Sequence, residues 1–108
     1  MIAEVLKSSE VKCDSLPDSP TRKLVKSSAT ALVYAVTLPP DATEPTHSHA
    51  CPGLIVQGTD GALTIMGPAP LASGGAAEGA WSVHAPSSTH SFKNTGSVAV
   101  TVYEIDFR

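Results

Sequence analysis

At 108 residues the chain is long enough for one hydrophobic core and too short for two. Hydrophobic residues make up 42% against 16% charged, which excludes a disordered chain. The formal net charge is −3, and the basic residues are scattered apart from Arg22, Lys23 and Lys26; no nucleic acid is expected as a partner.

The N-terminal residues carry Glu4, Lys7 and Glu10 and show no long apolar leader, so a cytoplasmic location is the expectation. Residues 1–28 read as an N-terminal arm. Ile2 to Leu6 suits a short edge strand or one swapped to a partner subunit, and a frayed terminus is the alternative. Pro17 and Pro20 exclude a helix over Ser15 to Pro20. Cys13 and Cys51 are two cysteines in a chain whose core is not too small; no disulfide framework is indicated and both are expected as free thiols.

Residues 29–108 read as the folded domain. The longest apolar stretch, Ala29 to Leu38, is broken by Thr30, Tyr34 and Thr37 and falls short of the roughly 20 residues of a spanning helix, so no membrane partner is expected. Its alternation of Thr30, Leu32, Tyr34, Val36 and Leu38 on one parity predicts a strand. Pro39-Pro40-Asp41 ends that strand, and Pro45 delays the next until Thr46. Two further short strands, Leu54 to Gln57 and Ala62 to Met66, flank the hairpin signal Asp60-Gly61. Gly67 to Gly79 is Gly, Ala, Pro and Ser with little to bury, an exposed loop. Trp81 to Val83 resumes a strand before the Ala85-Pro86 turn. The last strand runs Val98 to Phe107, with Tyr103, Ile105 and Phe107 on one face and Glu104 and Asp106 on the other, the alternation of a half-buried strand. Many short strands without a 3.6-residue apolar period predict an all-β barrel or sandwich with little or no helix.

Within this frame the histidines stand out. On an extended strand His47 and His49 point the same way, half of a metal site, and closing the sheet into a barrel would bring His90 across to them. Cys51 shares their parity and offers a thiolate, although Pro52 bends the chain there and a small buried thiol is the commoner use. His84, on the opposite parity from Trp81 and Val83, reads as an exposed or capping imidazole, and Gln57 as a solvent-facing residue. Tyr34, Phe92 and Tyr103 read as core or as lining of the barrel mouth.

The order strand, Pro-rich turn, His47-x-His49, hairpin at Asp60-Gly61, Gly79, Pro86, His90 and Asn94 resembles the cupin superfamily, in the small single-domain RmlC-like form. Its first motif runs G-x5-H-x-H-x3,4-E-x6-G and its second G-x5-P-x-G-x2-H-x3-N. His47, His49 and Gly61 match the first; Gly79, Pro86, His90 and Asn94 match the second with a shifted turn, Ser87 and Ser88 standing where a glycine is usual. Asp41 replaces the opening glycine. At the glutamate position the chain has Gly53 or Leu54, neither of which binds metal. The resemblance covers roughly residues 30 to 107. It implies a double-stranded β-helix, or jelly-roll, barrel with His47, His49 and His90 as ligands of a divalent transition metal (Fe, Zn, Ni, Mn or Cu) and no carboxylate beside them. Three neutral imidazoles would leave the full charge of the ion uncompensated.

Two functions are compatible with that implication: a metal-dependent enzyme, dioxygenase-like or of other small-molecule chemistry, or a non-catalytic small-molecule binding or sensor module with or without metal. A metal-free remnant is a third. A small-molecule ligand in the barrel and a homodimer are the expected partners.

Overall fold

The structure, a computed structural model, describes residue 13 and residues 15–66, 77–85 and 87–108. Among them are eight strands and no helix: β1 (Arg22–Ser27), β2 (Ala31–Leu38), β3 (Thr43–His49), β4 (Gly53–Gln57), β5 (Leu63–Met66), β6 (Trp81–His84), β7 (Ser88–Asn94) and β8 (Val100–Phe107). They form a five-stranded sheet in the order β1-β2-β8-β4-β6 and a three-stranded sheet in the order β3-β7-β5, with every pairing antiparallel. This is the expected all-β barrel of the jelly-roll kind. The proposed edge strand at Ile2 to Leu6 and most of the Gly67–Gly79 loop lie outside the described residues. The strand β1 falls within the stretch read as an arm and pairs with β2 as an edge of the larger sheet.

Alternation decides what fills the interior. On β2, Leu32, Tyr34, Val36 and Leu38 point inward, as the sequence pattern requires. Val36 and Leu38 join Ile55, Leu63, Ala80, Phe92, Val100 and Val102 in one apolar cluster that spans both sheets. Burying side chains of this kind contributes about 1.5–3 kcal/mol each, and a Phe92→Ala truncation would cost about 3–5 kcal/mol. Toward the other end, Leu32 and Tyr34 pack instead with Cys13 and Cys51. The strand β8 crosses from one region to the other: Val100 and Val102 lie in the apolar cluster, whereas Glu104 and Asp106, on the same parity, are buried opposite Tyr34 and Leu32.

That parity corrects the sequence reading of β8. Its apolar face, Tyr103, Ile105 and Phe107, points outward, with Tyr103 and Phe107 exposed, and its acidic face points in. Gln57 is likewise buried rather than solvent-facing, because its amide donates to the carbonyls of Thr59 and Gly61 at 2.9 and 2.7 Å and so ties down the β4–β5 turn. Asn94 does the same for the end of β7: its amide donates to Leu38 O and Val98 O while its oxygen accepts from Gly96 N. Among the described residues, the non-glycine residues with left-handed backbone are Asp41 (φ 65°) and Ser87 (φ 60°), both at positions where the sequence motifs carry glycine. The turn geometry is kept although the residue is not, and a short polar side chain tolerates it best.

The N-terminal residues are fastened to the barrel at three places. Leu16 N donates to the Tyr34 hydroxyl at 2.9 Å. The Arg22 guanidinium forms a buried ion pair with Glu44 on β3 at 2.7 Å and also donates to Pro17 O, while Ser19 and Thr21 hydroxyls donate to the same carboxylate. Burial nevertheless outweighs Arg22 and pushes the Glu44 pKa up. The third fastening corrects the expectation of free thiols: Cys13 and Cys51 form a disulfide. The bend at Pro52 brings Cys51 under β2, and the two sulfurs meet inside the Leu32–Tyr34 cluster.

A bridge between cysteines 38 residues apart removes about 4 kcal/mol of loop-closure freedom from the unfolded chain. Reduction, or Cys13→Ser, should therefore lower unfolding free energy by about 2–4 kcal/mol, read from urea denaturation with and without dithiothreitol. Superimposable transitions would contradict a formed disulfide.

Candidate metal centre

The strand β3 begins at Thr43, so Pro45 lies within it rather than delaying it to Thr46; the register shifts between Glu44 and His47, and His47 and His49 face the interior, one pleat apart. The strand β7 pairs with it so that His47 lies opposite His90. Across the barrel β8 contributes Glu104. The four side chains meet at one carboxylate oxygen: Glu104 Oε2 is 2.6 Å from His49 Nε2, 2.8 Å from His90 Nε2 and 3.0 Å from His47 Nε2. The Nε2 atoms of His47 and His90 are 3.0 Å apart. All four donor atoms lie within 4.8 Å of one another.

Hydrogen bonds on the far sides of the rings decide what the near sides offer. His47 Nδ1 lies 2.8 Å from the Pro45 carbonyl, which can only accept, so Nδ1 carries the proton. His49 Nδ1 lies 2.9 Å from an Asp106 carboxylate oxygen and is the donor for the same reason. In their neutral forms both rings therefore aim an Nε2 lone pair at Glu104 Oε2, and three electron-rich atoms face each other. Only a proton or a cation can hold them together. A cation fits the donor set well: bonds of about 2.1 Å at right angles put neighbouring donors about 3 Å apart, close to the separations found. A carboxylate orienting the imidazole from behind is the usual outer support of a metal-bound histidine, and Asp106 stands in that place. Glu104 Oε1 is buried with no hydrogen-bond partner.

The electrostatics carry the same signature. Burial alone would raise Glu104, yet contacts with His47, His49 and His90, which donate to it when protonated, prevail and hold it well below the usual carboxylate range. Asp106 is lowered too, its burial outweighed by His49 and His84. Desolvation would lower His49, but the two carboxylates flanking its ring raise it to about 9, whereas burial dominates for His90 and lowers it. Burial raises Tyr34, whose ring lies 6.1 Å from that of His49.

The structure thus brings together the three histidines singled out in the sequence and adds a carboxylate, which replaces the expected three-histidine set without one. Gly53 and Leu54, the residues at the motif's glutamate position, open β4, and the acid comes from β8, the neighbouring strand, where Gly53 pairs with Asp106 and Ile55 with Glu104. The signal available was parity, because Glu104 shares the face of Val100 and Val102. Cys51 is committed to the disulfide and so is no thiolate ligand. His84 is fully buried rather than exposed, with Nε2 3.1 Å from Asp106. Tyr34 and Phe92 are buried, Phe92 with its ring 5.0 Å from that of His90, while Tyr103 faces outward.

No protein-family model and no curated protein sequence matches the chain. Solved structures do. A cupin domain from Bordetella pertussis Tohama I superposes with a TM-score of 0.66 at 17% identity, over 81% of this chain and 91% of that one. The protein folds as a cupin. An RmlC-like cupin from Desulfovibrio desulfuricans matches at 25% identity and a TM-score of 0.58, over 77% of this chain and 78% of that one. A protein described as a sugar phosphate isomerase from a cupin superfamily, from Silicibacter pomeroyi, matches at 20% identity and a TM-score of 0.54, over 74% of this chain and 52% of that one.

A pH dependence follows from these shifts. A histidine raised to about 9 stabilises the fold fully below its unfolded value of ~6.5 and loses that contribution as pH rises through about 9. His90, lowered, acts oppositely and destabilises as pH falls below ~6.5, and the depressed Glu104 and Asp106 lose their contributions below ~4. In chelator the protein should be most stable near about pH 6 to 7 and decline on both sides, with the alkaline decline absent in His49→Gln. Urea unfolding across pH 4–10 checks this; an alkaline limb unchanged by His49→Gln would contradict the assignment.

Proposed function

We propose that this cupin holds a divalent transition-metal ion through His47, His49, His90 and Glu104 and acts through it on a small oxygen- or sulfur-bearing molecule. What carries the reading is the single carboxylate oxygen faced by three imidazole nitrogens, two of them with their protons fixed on the far side. Such an ion would supply a Lewis acid and open positions for a ligand, such as an organic acid, diketone, thiol or sugar derivative. Glu104 cancels one unit of its charge, which makes the centre a milder acid than three imidazoles alone would give. The charges also balance: ionised Glu104 and Asp106 offset a divalent ion among neutral histidines. His47, the least buried of the four, marks the side from which a ligand approaches. The neighbour described as a sugar phosphate isomerase supports proton-transfer chemistry as one candidate, and oxygen chemistry is the other.

His47→Ala and Glu104→Gln should each weaken Zn²⁺ affinity by about 100-fold or more, since even outer supporting residues account for 10–100-fold, measured by competition with a chromogenic chelator. Unchanged affinity in both would refute the site. Oxygen uptake by the iron-loaded protein over a panel of thiols and diketones separates the redox branch from the rest, and ligand binding without turnover identifies a binding or sensor module.

We also infer a homodimer. The outward face of the five-stranded sheet carries Val33 and Ala35 beside Ile105 and Tyr103, then Leu54 and Val56 beside Val83 and Trp81, all in register. Trp81 is 52% and Val83 56% exposed. The face carries no charge except at its β1 edge, where Lys23 and Lys26 lie, so it suits an equally apolar surface; a two-fold axis provides one without demanding complementary charge. Trp81→Glu should convert a dimer to a monomer in light scattering, and a monomeric wild type would refute the inference.

Among the described residues no helix is long and apolar enough to cross a membrane. The disulfide argues for an oxidising compartment rather than the cytoplasm expected from the N-terminal residues, because such bonds persist where thiols are oxidised.

A further inference from the structure

The polar interior continues behind His49. His84, on β6, is completely buried, yet neither of its ring nitrogens has a hydrogen-bond partner. Its Nε2 lies 3.1 Å from Asp106 Oδ1 but off the line that a hydrogen bond needs. Asp106 Oδ1 is in the same condition: it is 2.8 Å from His49 Nδ1, whose proton points at the other oxygen, Oδ2. Buried polar atoms without partners are rare in folded proteins, and here two of them, His84 Nε2 and Asp106 Oδ1, face each other.

The chain makes room for this arrangement. Gly53 pairs with both His84 and Asp106, and a Cβ at that position would come within 2.4 Å of His84 Nε2 and 1.8 Å of the Ile105 carbonyl. A glycine is therefore required for the His84 ring to lie where it does.

We propose that His49, His84 and Asp106 bind a second divalent transition-metal ion beside the first, with the His49 ring between the two. The three donor atoms lie within 4.8 Å of one another, and the separations of 2.8 and 3.1 Å about Asp106 Oδ1 match those about Glu104 Oε2. Two imidazoles and a carboxylate suit zinc, copper or iron rather than calcium or magnesium. Binding displaces the Nδ1 proton of His49 to solvent, so a divalent ion adds one net positive charge to the interior. His84 Nε2 and Asp106 Oδ1, which lack partners, become ligands. This rests on the first site only in that His49 is shared.

The test is zinc stoichiometry, by elemental analysis after saturation and exhaustive dialysis, in wild type, His47→Ala, His84→Ala and His84→Gln. The proposal predicts two ions per chain in wild type and one in each variant; the ion retained by the His84 variants also shows that they are folded, and the glutamine variant serves if the alanine variant is not. One ion in wild type that survives in both His84 variants and is lost in His47→Ala overturns the second site and leaves the first standing. One ion lost in the His84 variants but kept in His47→Ala overturns the first and supports the second. Two ions in wild type and in both His84 variants overturn the proposal.

Discussion

A single buried carboxylate oxygen, Glu104 Oε2, organises this barrel. An ionised acid placed inside a protein is costly unless positive charge or hydrogen bonds surround it. Three imidazoles from β3 and β7 face it at 2.6–3.0 Å; protonated, they donate to it and outweigh its burial, and neutral, they need a cation between them and it. The demand reaches into the fold. The register of β3 against β7 must place His47 opposite His90, and β8 must change from Val100 and Val102 to Glu104 and Asp106 as it passes out of the apolar cluster. The Pro45 carbonyl and Asp106 must hold the ring protons on the outer side. The apolar end of the barrel provides the stability that allows the other end to be this polar.

The parts of the site legible in the sequence were those set by local chemistry. His47-x-His49 behind a proline turn announces two rings on one face, and spacing carried the resemblance through His90 and Asn94. Asp41 and Ser87 show that the motif's glycines stand for a backbone conformation, which this chain reaches with other residues. The carboxylate was illegible for a physical reason. Strand β8 is apolar on the outside at Tyr103, Ile105 and Phe107, so a rule that puts the more hydrophobic face inward turns it over. A sheet whose outer face is itself suited to burial defeats that rule, and the inner identity of Glu104 is recovered only by following parity back to Val100 and Val102. His84 and Gln57 were misplaced because a polar residue on a strand is exposed by default, whereas each has a specific interior position: Gln57 caps the β4–β5 turn, and His84 fills the space that Gly53 leaves. The disulfide was out of reach because only the folded chain brings residue 13 beside residue 51.

A barrel can offer the same chemistry through different residues. Neighbouring strands of one sheet approach the same interior point, so a carboxylate that the start of β4 does not carry can come from β8, to which β4 is hydrogen-bonded. Gly53, at the start of β4, leaves its space to the imidazole of His84. Function read from a motif's missing letter would have predicted a different charge at the centre. Position in space, not order along the chain, decides what the centre offers.

The most direct measurement is anomalous diffraction at the zinc edge from crystals of the zinc-saturated protein. The account predicts a peak bonded at about 2 Å to Nε2 of His47, His49 and His90 and to a carboxylate oxygen of Glu104. No zinc at this position, or zinc on the three imidazoles with Glu104 turned away, would contradict it.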